Sequence, residues 1–156
     1  MVALVGELNP YGADPRYALY HEPRNASGDR LRRVLGLTVR TYVPLPKYNL
    51  CEASWSTSAA RSRAGDIMAE HKVIVALGAK VRAAFMYWRI APGLELTAPF
   101  VLQGGEHTMV ALPHPSGLCR AWNVRENVLR ARELVKLHTG LPCGEVEEFF
   151  RAPVPG

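Results

Sequence analysis

Hydrophobic and polar positions along this chain follow two rhythms. Short unbroken apolar runs, Val2-Ala3-Leu4-Val5, Val73-Ile74-Val75-Ala76-Leu77 and Thr108 to Leu112, read as strands buried on both faces. Gly6 and Gly78 end the first two of them. Between the runs, apolar residues recur every third or fourth position. That spacing predicts a helix from about Ser27, with Leu31, Val34 and Leu35 on one face and Gly36 near its end. It predicts a second helix over 57–71 on Ala60, Ala64, Ile67 and Met68, and a third after Gly78 carrying Val81, Ala84 and Phe85. A last helix, capped by Asn123, would bury Val124, Val128, Ala131, Val135 and His138. Val39 to Val43 and the approach to Leu50 are β-branched and aromatic, which predicts a second strand region around Pro44 and Pro46.

Strands alternating with helices predict an α/β fold, a three-layer α/β/α sandwich around a mostly parallel four-stranded sheet. Ligands of such sheets bind beyond the carboxyl ends of the strands. Three polar loops leave strand ends here: Gly6 to Tyr20, Asn49 to Trp55, and His114 to Asn123. Tyr42, Trp55, Trp88 and Trp122 are expected in the core or at its edge.

The 156 residues fit one domain, with a core over 2–138 and a Pro-rich strap over 139–156. With 48% apolar and 21% charged residues, disordered, fibrous and disulfide-scaffold classes are excluded. No apolar run approaches the roughly 18 residues a membrane span needs. The opening Met1 to Val5 has no basic flank and soon meets Glu7, so a signal peptide is not expected and the cytoplasm is the expected location.

Charge adds a partner class. Nineteen Lys and Arg face fourteen Asp and Glu, a net charge of +5. Glu145, Glu147 and Glu148 lie beyond Gly140 with Arg151 as the sole cation there, so the preceding chain is more basic still. Such a surplus suits a polyanion such as nucleic acid. Cys51, Cys119 and Cys143 are widely spaced and too few for a four-cysteine cluster, so reduced thiols and no metal are expected.

The first loop reads Gly6-Glu7-Leu8-Asn9-Pro10-Tyr11-Gly12, which matches neither glycine-rich phosphate cradle. The third reads His114-Pro115-Ser116-Gly117-Leu118-Cys119-Arg120, and Ser116 is not in the elbow of a serine hydrolase. Taken together, Asn9-Pro10-Tyr11 after the first strand and His114-Pro115-Ser116-Gly117-Leu118 after the last resemble the two signature motifs of the uracil-DNA glycosylase superfamily. Order and separation agree, over roughly residues 2 to 138, and Asn49 lies where that family keeps a base-reading Asn. The chain departs from the family in three ways. Two residues separate Gly6 from Asn9, one more than in the uracil-specific and single-strand-selective branches. Glu7 is similar to the acidic residue of the iron–sulfur branches, yet the cluster cysteines are missing. The chain is also short for the family.

The resemblance implies a monofunctional glycosylase that flips a pyrimidine out of DNA and hydrolyses its bond to deoxyribose, without metal or organic cofactor. His114, as neutral imidazole, would donate to the departing base's carbonyl. Asn9 or Glu7 would orient water, with Asp14 a third candidate. Leu8, Tyr11 and Asn49 would bind the base, Tyr11 against C5 of the pyrimidine. Tyr20, or else Tyr17, would stack on it. Ser116, Gly117, Leu118 and Arg120 would meet DNA, Leu118 as a wedge and Arg120 with the last helix's basic residues at phosphates. No lysine sits in the three loops between motif residues, so a Schiff-base lyase step is not expected. The expected form is a monomer. Two rival readings remain: a DNA-binding module that lost turnover, and a hydrolase of free nucleosides or nucleotides.

Overall fold

The structure is a computed structural model that describes residues 1–8, 14–85, 98–116 and 119–144. Five strands form one sheet: β1 (Val2–Leu8), β2 (Lys47–Cys51), β3 (Val73–Leu77), β4 (Phe100–Gly104) and β5 (His107–Leu112). Their order is β2-β1-β3-β5-β4. The first four in that order run parallel, and β4 joins β5 antiparallel. The architecture is therefore the expected α/β/α sandwich, with five strands where the sequence predicts four. The additional strand, β4, is a half-exposed edge hairpin partner whose Phe100-Val101-Leu102-Gln103-Gly104 shows neither an unbroken apolar run nor clean alternation.

Side-chain alternation splits the core in two. Val2 and Leu4, Val75 and Leu77, and Val110 and Leu112 face α1 (Ser27–Leu35), α2 (Val39–Tyr42) and α5 (Arg125–Thr139). Ala3 and Val5, Ile74 and Ala76, and Met109 face α3 (Thr57–Glu70) and α4 (Ala79–Ala84). Both faces are covered, as a parallel sheet requires.

Two expectations are corrected. Val39 to Tyr42 is helical, started by Thr38, whose side chain accepts the Thr41 N–H, and the second strand begins only at Lys47. The β-branched composition fits either state, and the local cap decides for helix. The last helix begins at Arg125, after a 3-10 turn over Arg120–Asn123, so Asn123 does not cap it. Val124 lies outside the buried stripe at 46% exposure. Trp122 and Tyr42 are fully buried, and Trp55 packs at the core edge. Trp88 lies outside the described residues. Cys51 and Cys143 are buried and Cys119 is half-buried, all as free thiols.

The loop after β1 is locked against α1. Tyr42 donates its hydroxyl to the Leu19 carbonyl at 2.6 Å, and buried Asp29 accepts the Asn25 N–H at 2.8 Å and Arg33 Nε at 3.1 Å. A Cβ on Gly28 would overlap the carbonyl oxygens of Leu19 and Tyr20. These are backbone atoms and cannot step aside as a flexible side chain would. Gly28→Ala is expected to lower stability by about 3 kcal/mol, the upper end for overpacking. For a chain of this size the melting temperature should then fall by about 6–12 °C. Gly65, exposed within α3, has nothing within 4 Å of an added Cβ. Gly65→Ala should gain about 0.5–1 kcal/mol in the same denaturation measurement.

Candidate functional site

The strand order reverses direction between β1 and β3, because β2 lies on one side of β1 and all later strands on the other. Helices leaving the two sides cover opposite faces, so a crevice opens at the carboxyl ends there. A cavity of about 240 Å³ lies in that crevice, lined by Gly6, Glu7, Leu8, Leu19, Tyr20, Ala26, Ser27, Gly28, Asn49, Leu77, His114 and Pro115. It is below the roughly 300–1,000 Å³ of sites for drug-sized ligands, a volume suited to a single heterocycle.

His114 sits just past β5 on a loop held at three points. The Ser116 N–H donates to His114 Nδ1 at 3.0 Å, Trp122 Nε1 donates to the His114 carbonyl at 3.0 Å, and Arg30 Nε donates to the Pro115 carbonyl at 2.9 Å. With Nδ1 accepting, neutral His114 carries its proton on Nε2. Burial pushes its pKa below the ordinary value of 6.5, and the nearby Glu7 charge opposes this in part. At neutral pH the ring is thus an uncharged N–H donor. Gly78, at φ +95, makes the approach possible. A Cβ there would lie 3.3 Å from His114 Cδ2 and 3.4 Å from Glu7 Oε1, so both side chains flank one bare α-carbon.

Asn49 pairs in register with Gly6 across β2 and β1. Its Oδ1 would be only 2.6 Å from a Cβ on Gly6, so glycine leaves the carboxamide room to lie across the strand. Both Asn49 Oδ1 and Nδ2 are buried and have no hydrogen-bond partner among the described residues. An unpaired buried polar atom costs about 1–3 kcal/mol, and here two of them border a cavity. They mark a place for a ligand with complementary donor and acceptor. The first turn of α1 forms another wall, and the positive end of its dipole favours negative charge in the cavity.

Glu7, Leu8, Tyr20, Asn49 and His114 are therefore brought together as the sequence predicts, with Leu8 at the rim at 38% exposure. Ser116 acts through its backbone N–H on His114. Arg120 is exposed and does not line the cavity. Asn9, Tyr11, Gly117 and Leu118 lie outside the described residues. Tyr17 stands outside the cavity lining, and Asp14 is held by Arg16 at 2.8 Å, which keeps its carboxyl below the usual range. The last helix does not offer all its cations to phosphates. Arg132 is buried and donates to the Val34 and Arg33 carbonyls, tying α5 to α1. Leu19, Gly28, Arg30 and the Trp122 indole belong to the site but carry no sequence mark of it. Only Gly78, closing a buried strand, offered a local signal.

Burial of His114 has a pH consequence. Above 6.5 the ring is neutral both folded and unfolded, so it adds no pH dependence. Below 6.5 the unfolded chain takes up the proton first, and stability falls with pH until the lower folded pKa is passed. Nitrogen-15 NMR of the imidazole should show an Nε2–H tautomer titrating below 6.5. His114→Gln should remove that share of the acid destabilisation, and a midpoint above 6.5 would contradict the account.

Among the described residues, no group of three or more His, Cys, Asp or Glu stands where it could hold a metal ion, and no helix is long and apolar enough to cross a membrane. Comparison with known proteins finds no family model that matches this chain, and no match among curated proteins or solved structures.

Proposed function

We propose that the protein is a monofunctional DNA glycosylase that hydrolyses the N-glycosidic bond of a flipped-out pyrimidine. One observation carries the reading: the unpaired Asn49 carboxamide and the Nε2 donor of His114 border the same base-sized cavity. A carboxamide, with one acceptor and two donors, pairs with an edge that presents a carbonyl beside an N–H, as uracil and thymine do. His114 then meets a base carbonyl with a neutral donor.

The C1′–N1 bond breaks with its electron pair passing to the base, where negative charge gathers on the carbonyl oxygens. His114 Nε2–H and the positive end of α1 stabilise that charge in a site sheltered from water. The sugar, left electron-poor at C1′, is captured by water, and Glu7 accepts the water's proton before passing it to solvent. Tyr20 offers its ring to the base. Lys47, the lysine of β2, donates its ammonium to the Val43 and Leu45 carbonyls and does not line the cavity.

Base release from oligonucleotides carrying one uracil, thymine mismatch or 5-hydroxymethyl pyrimidine, read by alkali cleavage, tests this. His114→Ala should lower the single-turnover rate by at least the ~10²-fold of a lost oxyanion donor. Asn49→Ala should erode base preference by the ~1–3 kcal/mol of a two-bond contact. Absence of release from the whole panel, or a His114→Ala rate near wild type, would sink the proposal.

A further inference from the structure

Among the described residues β2 is the last strand on its side of the sheet, and nothing pairs with its outer edge. The Leu4 N–H takes the Pro46 carbonyl, while Leu4 and Gly6 stand in register with Lys47 and Asn49. Successive residues of a strand turn their backbone groups to opposite edges. Pro46, Tyr48 and Leu50 therefore serve β1, and the N–H and C=O groups of Lys47, Asn49 and Cys51 face outward. We propose that a second copy of this chain occupies that edge, its β2 pairing antiparallel with the first across a twofold axis. The protein is then a dimer where the sequence predicts a monomer, whatever chemistry the cavity performs.

The edge has room for a strand. A groove of about 400 Å³ follows it, walled by β2 from Lys47 to Leu50 and by α3. α3 runs back along β2, since the Ser56 N–H at its start donates to Cys51 Sγ and His71 at its end hydrogen-bonds the Tyr48 hydroxyl. Ala59, Ser62, Arg63 and Asp66 form its face toward the groove and span about 10 Å of helix. About three extended residues have that length, so the slot suits a strand. Lysines commonly guard such edges, but Lys47 folds back onto the Val43 and Leu45 carbonyls. Ala59 and Ser62 are exposed and small, which lets two copies of α3 lie side by side.

Register and charge select the second copy as occupant. Antiparallel pairing about Asn49 sets Lys47 opposite the partner's Cys51 and Asn49 opposite its own counterpart. Each outward-facing backbone group then meets another, and the ladder closes. Asn49 takes part through its backbone alone, which leaves its carboxamide to the cavity. Tyr48 comes opposite the partner's Leu50, two residues before the partner's Glu52. Arg63 stands over Tyr48, 5.3 Å from the ring centroid, a contact that uses none of its N–H donors. Glu52 lines the far end of the groove, exposed and without a hydrogen-bond or ion-pair partner among the described residues. A groove with a cation at one end and a carboxylate at the other is complementary to its own copy turned end for end. The twofold thus brings Arg63 of each copy toward Glu52 of the other, and an interface of this kind closes on itself.

Sedimentation velocity of the full chain at rising concentration should show the 17.2 kDa species passing to one of twice that mass. Arg63→Glu or Glu52→Arg alone sets like charges across the twofold and should raise the dimer Kd about tenfold or more. The two changes together exchange the charges and should bring Kd back to within about threefold of wild type. Both residues are exposed, so neither change burdens the core. Amide exchange followed by NMR reads the strand itself. The Lys47, Asn49 and Cys51 N–H groups should exchange more slowly as the dimer forms, while those of Tyr48 and Leu50, already given to β1, should not change. A single 17.2 kDa species at every concentration overturns the proposal. So does a dimer that both single reversals leave intact, or one in which the outward amides exchange as fast as in the monomer.

Discussion

A parallel sheet has to be buried on both faces, and that constraint organises this molecule. β1 and β3 lie side by side in the order, and the connections leaving them toward either side wind onto opposite faces, which opens a crevice at their carboxyl ends. The crevice left there receives the ends of β1, β2, β3 and β5, which brings Glu7, Asn49, Gly78 and His114 together from positions far apart in the chain. The apolar alternation of Val2 to Val5 and Val73 to Leu77 holds the floor of the crevice rigid.

On that floor, polar groups are either fully used or pointedly unused. The His114 and Pro115 carbonyls accept from Trp122 and Arg30, and the Ser116 N–H donates to the imidazole, so the ring has one orientation and one tautomer. Asp29 gathers the turn at Asn25 and the guanidinium of Arg33, which secures the start of α1 against the Leu19–Tyr20 backbone. Asn49 alone among the cavity's polar side chains has both carboxamide atoms buried and without partners among the described residues. Two unpaired buried atoms on one side chain at a cavity wall fit a group that brings a complementary donor and acceptor.

Glycine makes the site dense. Gly6 leaves room for the Asn49 carboxamide, Gly28 for the Leu19–Tyr20 backbone, and Gly78 for Glu7 and His114 at once. Each serves by lacking a Cβ at a close approach, and Gly78 also takes a backbone angle that other residues rarely adopt.

What the sequence determined by itself were the features written in local periodicity. The apolar runs of β1, β3 and β5 and the helical spacing over 57–71 each specify an element without reference to the rest of the chain. The loops after β1 and β5 followed from the same runs, and with them Glu7 and His114, whereas Asn49 lies on β2, which those runs do not specify. Tertiary structure decided the remainder. Val39 to Tyr42 has a composition that suits strand or helix, and the Thr38 cap settled it. β4 gains its place only by pairing with β5, since half of its surface faces solvent and its sequence shows no period. Arg132 reads as one more cation of an exposed helix, yet packing against α1 turned it inward to two carbonyls. Gly28 looks like any helix-start glycine until the Leu19 and Tyr20 carbonyls come against it. Periodicity is a property of neighbours in the chain, whereas close approach and burial of a charge belong to pairs of segments, which only the folded chain brings into contact.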